Sequence, residues 1–197
     1  MYICGIHTDA GKSHLGVALC KAFGFSYFKL IQAGKERDAD IIKKYSSNTK
    51  IYDDGMFLYT PASPHFAMKN DEIYYSMDDI KVPNDNNLII ELAGGIYCPI
   101  DENNTMLDFM KKNKKDVILA SRYYLGSINH TILTIKALQE NGLNIVCVVM
   151  IGEIIPSTDE FIKEYTNVNL AHLEYFNENN IEEKIKKFKK EIEKYLH

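Results

Sequence analysis

The sequence predicts an α/β fold: one domain spanning residues 1–197, with a mostly parallel sheet covered by helices on both faces. Three observations predict it. Short apolar runs (Met1 to Ile6, Leu88 to Leu92, Val117 to Ser121, Asn144 to Ile151) have the length and continuity of strands buried on both faces. Stretches with helical spacing of apolar residues alternate with them. Glycine turns follow two of the runs, Gly5 to Gly11 and Ala93-Gly94-Gly95, at the strand ends where an open parallel sheet places its ligands.

In chain order, Met1 to Ile6 reads as the first strand and His14 to Phe23 as the first helix. Ser26 to Ile31 is a short buried strand ending in the turn Gln32-Ala33-Gly34, and Asp38 to Tyr45 is a short helix that Asp38 is placed to cap. Met56 to Tyr59 is a further strand, and Thr60 to Pro64 is a loop leading to a helix near His65 to Lys69. The polar stretch Asn70 to Asn87 gives only a connecting helix and loop. Thr105 to Lys111 and Ser127 to Asn141 read as helices, the second stopped by Gly142. Thr158 to Tyr165 is a helix, Val168 to Leu173 a weak strand, and Ile181, Ile185, Phe188, Ile192 and Leu196 mark the apolar stripe of a final helix.

With 197 residues, 46% hydrophobic and 25% charged, the chain can bury a sizeable core. Its formal charge of −4 argues against a nucleic-acid partner, since such proteins carry a basic patch or stripe. The Lys-rich end is balanced by Glu and reads as a solvated helix face. Cys4, Cys20, Cys98 and Cys147 lack C-x-x-C spacing and read as buried free thiols. No charged start with an apolar stretch precedes the first strand, and no apolar run is long enough to span a bilayer. A cytoplasmic protein is expected.

The motif that organises the rest is Gly5-Ile6-His7-Thr8-Asp9-Ala10-Gly11-Lys12-Ser13, set between strand and helix. In such a loop backbone N–H groups converge on a phosphate chain, a lysine neutralises the β- and γ-phosphates, and a Ser or Thr hydroxyl reaches Mg²⁺. The common form has four residues between the first glycine and Gly-Lys; this one has five, Ile6 to Ala10. Lys29 lies in an apolar strand, where an unpaired ammonium is costly; it either reaches an anionic ligand or faces water from an edge strand. Asp38 is either a helix cap or a metal ligand. Glu91 ends a buried run before a glycine turn, which favours a metal-linked role. His7, His14, His65, His130 and His172 share no metal-ligand spacing.

These residues resemble the dethiobiotin synthase family, whose loop G-x-D-T-x-V-G-K-T also has five residues before Gly-Lys. Lys29-Leu30-Ile31-Gln32-Ala33-Gly34 is similar to its K-P-[VI]-x-[ST]-G, and Asp38-Ala39 to its following aspartate. Thr60 to His65 resembles an [ST]-P-H stretch, Glu91-Leu92-Ala93-Gly94-Gly95 through Pro99 resembles E-G-A-G-G with a trailing proline, and Leu125-Gly126-Ser127-Ile128-Asn129-His130-Thr131 resembles L-G-[TC]-I-N-H-[TA]. The likeness covers about residues 1–150 in collinear order. In the departures, His7 replaces an acidic residue and Leu30 a proline. Ala33 replaces a Ser/Thr that contacts substrate, a hydrogen bond worth about 0.5–1.5 kcal/mol. The Asn that reads adenine has no counterpart near Met150-Ile151-Gly152, and Asn169 to Phe176 diverges.

The resemblance implies a doubly wound P-loop domain that joins 7,8-diaminononanoate and CO₂ at the expense of ATP, with Mg²⁺ as cofactor. It implies catalytic roles for Thr8, Lys12 and Lys29. Asp9, Ala10, Gly11, Lys12, Ser13, His14, Asp38, Glu91, Leu92, Ala93 and Gly94 would contact the nucleotide, with Ser13, Asp38 and Glu91 on the metal. Thr8, Lys29, Ala33, Gly126, Ser127, Ile128 and Asn129 would contact substrate, the last four across a homodimer interface. Lys29→Ala is expected to lower turnover by orders of magnitude and leave the fold intact. Two rivals share the loop: a switch-type ATPase that controls a protein partner, and an ATP-dependent ligase with another substrate.

Overall fold

The computed structural model describes residues 1–196. Its main sheet has six strands in the order β2-β5-β1-β6-β7-β8: β1 (Tyr2–Gly5), β2 (Ser26–Lys29), β5 (Leu88–Gly95), β6 (Val117–Arg122), β7 (Ile145–Ile151) and β8 (Leu170–Leu173). All its pairings are parallel. The apolar runs read as strands are β1, β5, β6 and β7, and their apolar residues lie almost wholly out of solvent. Helices α1 (Lys12–Phe23), α2 (Asp38–Tyr45), α3 (Pro64–Asp71), α4 (Met106–Lys112), α5 (Ser127–Glu140) and α6 (Pro156–Thr166) lie in the connections between strands, and α7 (Ile181–Ile192) follows the last of them. Along α7 the stripe Ile181, Ile185, Phe188 and Ile192 is buried, a gross gain of roughly 6–12 kcal/mol at about 1.5–3 kcal/mol each. Leu196 lies beyond that helix, after a short 3-10 turn at Glu193–Tyr195.

The run from Ser26 to Ile31 is not one strand. β2 ends at Lys29, and β3 (Ile31–Ala33) pairs instead with β4 (Met56–Leu58) in a separate two-stranded sheet. The reason is local. The carbonyls of Lys29 and Leu30 accept hydrogen bonds from the N–H groups of Gly55 and Met56, which pull the chain out of the main sheet. Only glycine allows that approach, because a Cβ at Gly55 would lie 2.5 Å from the Leu30 carbonyl oxygen.

Helix α2 begins at Asp38, but its N-cap residue is Arg37. The Asp38 side chain is therefore free of capping and points elsewhere. Strand β5 runs past the predicted Leu92 to Gly95, which carries Glu91 and the glycine turn alongside the end of β1. Cys4, Cys20 and Cys147 are buried free thiols as expected, whereas Cys98 is only half-buried. Among the described residues no helix is long and apolar enough to cross a membrane.

Candidate active site

The carboxyl ends of β1, β2, β5 and β6 open onto one cavity of about 750 Å³. Thr8, Asp9, Gly11, Lys12, Ser13 and His14 line it from the loop and the start of α1, with Lys29, Ala33 and Asp38 on one side and Glu91, Ala93 and Gly94 on the floor. Parallel register explains the grouping: Lys29 of β2 pairs with Glu91 of β5, and in-register neighbours on adjacent strands project to the same face.

The loop depends on Gly11, which takes φ +89° as the residue before α1. A Cβ there would stand 2.6 Å from Ile151 Cδ1 as well as in a strained backbone region. Beyond it the first turn of α1 presents N–H groups that no helix carbonyl can satisfy, a natural anion site. Lys12 is 4% exposed and donates to the carbonyls of Thr8 (2.8 Å) and His7 (3.2 Å). Burial and the neighbouring Lys29 push its pKa below the ordinary lysine value, although Glu91 and Asp38 oppose this. It is an ammonium short of negative charge.

Lys29 is its counterpart on the other side. It is 5% exposed, with Nζ 2.5 Å from Asp38 Oδ2 and 2.7 Å from Glu91 Oε1. Burial works against its charge, but the two carboxylates outweigh it and its pKa stands above the usual value. Burial likewise works against the Asp38 carboxylate, and Lys29 and Ser13 overcome it, so that its pKa is lowered. Ser13 Oγ lies 2.5 Å from Asp38 Oδ1 and 3.0 Å from Glu91 Oε1, close enough to donate to either. Tyr27, fully buried on β2, donates its hydroxyl to Glu91 Oε2 at 2.8 Å and fixes the carboxylate from behind.

Among the described residues no three His, Cys, Asp or Glu side chains gather as a metal cage. Mg²⁺ beside a nucleotide needs none. It takes one or two carboxylates with phosphate and water oxygens, and the all-oxygen set of Ser13, Asp38 and Glu91 fits that demand.

His7 has a definite place. Its Nδ1 accepts the Asp9 N–H at 3.1 Å, the ring standing edge-on to Tyr124 at 5.1 Å. Burial, Lys12 and Arg122 push its pKa down, partly opposed by Asp9, so the neutral ring is favoured, with its proton on Nε2. An acidic side chain at this position would accept the same N–H. His14 stacks on Phe176 at 3.7 Å and lies within 3.2 Å of the Glu174 carbonyl, with Tyr175 edge-on at 5.6 Å.

Some expected residues lie elsewhere. Ala10 and Leu92 are fully buried and pack in the core beneath the cavity. Gly126, Ser127, Ile128 and Asn129 form the start of α5 and do not line the cavity; Leu125 beside them is fully exposed. Conversely, Tyr27, Gln32, Arg122 and Cys98 were not foreseen. Gln32, buried on β3, donates to the carbonyls of Ala33, Gly34 and Glu36 and accepts from the Asp38 N–H, so it holds the turn that carries Asp38. A cation at a strand's carboxyl end was the available signal for Arg122. Tyr27 read only as an apolar strand residue.

A family model described as an AAA domain matches residues 1–179. The chain is 45% identical over 196 residues to the protein named ATP-dependent dethiobiotin synthetase BioD of Campylobacter jejuni, covering 100% of this chain and 96% of that one. It is 36% identical over 200 residues to the protein of the same name from Christiangramia forsetii, covering 97% and 96%. With the one from Lawsonia intracellularis the figure is 37% over 154 residues, covering 77% and 75%. End-to-end similarity at this level, joined to a five-residue phosphate loop and a lysine held over two carboxylates, places the chain in the dethiobiotin synthetase family.

Proposed function

We propose that the protein catalyses the ATP-dependent carboxylation and ring closure of 7,8-diaminononanoate with CO₂, giving dethiobiotin, ADP and phosphate, the step of biotin biosynthesis that closes the ureido ring. The observation that carries the reading is the pairing of two buried lysines on one cavity, Lys12 on the phosphate loop and Lys29 across from it. The reaction must hold a carbamate beside a triphosphate, two anions that repel each other. It must also stabilise charge on the phosphoryl group in flight. A cation on each side meets both demands, and the relatives' name favours this reading over a partner-controlling ATPase.

One substrate amine adds to CO₂ and loses a proton, forming a carbamate beside Lys29 and Ala33. A carbamate oxygen attacks the γ-phosphorus and displaces ADP; the second amine attacks the carbamoyl carbon and expels phosphate. The N–H groups of Gly11 to Ser13 hold the β-phosphate, that of Asp9 being taken by His7 Nδ1, Lys12 spans the β- and γ-phosphates, and Thr8 donates to the γ-phosphate or carbamate. Mg²⁺ bound at Ser13, Asp38 and Glu91 would neutralise phosphate charge. No side-chain nucleophile is required, because the substrate's amines attack.

The chain acts as one domain in the cytoplasm, and as a homodimer in which Gly126, Ser127, Ile128 and Asn129 reach the partner's substrate tail. The exposed Leu125 and the helix N-terminus beside it support that placement. The test is phosphate release with Mg-ATP and bicarbonate, with and without the diamine. Release indifferent to the diamine contradicts the reading.

A further inference from the structure

We propose that Arg122 reads the γ-phosphate, and that through it the cavity distinguishes a nucleoside triphosphate from the diphosphate left after transfer. This rests on the reading of the cavity as a nucleotide site.

Strand order sets its position. Lys29 stands at the end of β2, Glu91 on β5, the phosphate loop at the end of β1, and Arg122 at the end of β6 on the far side of the loop. Arg122 therefore enters the cavity opposite Lys29. The three cations of the cavity are differently committed. Lys29 is bound between Asp38 and Glu91, and Lys12 is turned onto the carbonyls of its own loop. Half-buried Arg122 makes one side-chain hydrogen bond, from Nη1 to the Asp9 carbonyl at 3.1 Å, and forms no ion pair among the described residues. A guanidinium has five N–H donors in a planar fork suited to two phosphate oxygens at once. The rest of that capacity has no protein partner among the described residues, and Arg122 is one of the residues that line the cavity.

The anchor on Asp9 fixes which phosphate it meets. The α1 N-terminus takes the β-phosphate, whereas Thr8 and Asp9 form the outer part of the loop, on the side where Lys12 spans β to γ. A fork held at the Asp9 carbonyl lies beyond the β-phosphate and within reach of the third phosphoryl group. A diphosphate does not extend that far. His7 supports the arrangement by accepting the N–H of the same Asp9, so the segment that carries the arginine's anchor is itself pinned.

The experiment is calorimetric titration of the full chain, in Mg²⁺, with ADP and with a non-hydrolysable ATP analogue, for the unmodified protein, Arg122→Met and Arg122→Lys. Thermal unfolding of each variant checks that it folds. Arg122→Met is expected to weaken the triphosphate analogue about 10- to 100-fold, the value of a charge-assisted hydrogen bond, and to leave ADP within about twofold. Arg122→Lys should fall between, keeping charge and losing the fork. Equal weakening of both nucleotides, or of neither, overturns the proposal. An unmodified protein that binds neither nucleotide overturns the nucleotide reading itself.

Discussion

Replacing Lys29 by methionine keeps the length of the side chain and removes its charge. Besides the loss of turnover expected of a truncation at Lys29, its buried ion pair predicts a loss of stability in a chain that still folds. The ammonium is 5% exposed and lies 2.5 Å from Asp38 and 2.7 Å from Glu91; without it the fully buried Glu91 carboxylate loses its cation and keeps the partly exposed Asp38 carboxylate beside it. Losing one partner of a buried ion pair costs about 3–5 kcal/mol, a large part of the roughly 5–15 kcal/mol that holds a domain together. For a chain of this size, about 2–4 °C per kcal/mol gives a fall in Tm of roughly 6–20 °C. The pH dependence identifies the cause. In the unmodified protein Asp38 has a depressed pKa through Lys29 and Ser13, so its contribution is present above the unfolded carboxylate value near ~3.9 and is lost as pH falls through the folded value. In Lys29→Met one of the two carboxylates takes up a proton at higher pH, so the deficit should shrink between about pH 7 and pH 5. The assay is thermal unfolding by circular dichroism across that range, beside phosphate release. Lys29→Met with Asp38→Asn should regain much of the stability and none of the turnover. A single variant melting within about 2 °C of the unmodified protein at pH 7, or a deficit independent of pH, would refute the ion-pair account.

Tyr27→Phe leaves Glu91 Oε2 without its donor in a fully buried place; about 1–3 kcal/mol of stability should be lost, and half-maximal phosphate release should need more Mg²⁺ in a titration. Gly11→Ala, at φ +89° and against Ile151, should lose about 1–2 kcal/mol in denaturant unfolding and weaken ATP in calorimetry; unchanged affinity would show that the loop tolerates a side chain. His172 joins β8 to α6 and α7 through Asp159 (2.9 Å) and Glu191 (2.7 Å), and Glu191 and Asp159 raise its pKa although burial lowers it. Its contribution of about 2 kcal/mol should be complete below the unfolded value near ~6.5 and disappear as pH rises through the folded one. His172→Gln should flatten that slope in stability measured from about pH 5 to pH 9, and an unchanged slope would contradict it.

What could be read in the sequence was what is encoded between near neighbours. The apolar runs of β5, β6 and β7 are continuous because both faces of each strand are covered, and the phosphate loop is a single contiguous motif. Helix α7 declared itself through its stripe. Contacts closed by the fold over long separations were not legible. Nothing in the spacing of Tyr27 and Glu91, 64 residues apart, announces a hydrogen bond; it exists because β2 lies beside β5. The break after Lys29 was hidden for a similar reason, since the chain leaves the main sheet only where Gly55 and Met56 arrive to take its carbonyls. Asp38 read equally as a cap or a ligand; the backbone gives the cap position to Arg37, and the Asp38 carboxylate meets Lys29 and Ser13 instead. Tyr175 and Phe176 lay in a divergent segment, and their packing on His14 depends on the return of β8 to the edge of the sheet.

The central claim is that two anions react in one cavity, with a carbamate attacking the γ-phosphate between Lys12 and Lys29. Its most direct test supplies labelled bicarbonate, Mg-ATP and 7,8-diaminononanoate and counts dethiobiotin formed by mass spectrometry against phosphate released in the same tube. The account predicts one labelled carbon in the ureido ring for each phosphate, with both products lost together in Lys29→Met. Phosphate released without ring formation, or product formed without ATP consumption, would contradict it.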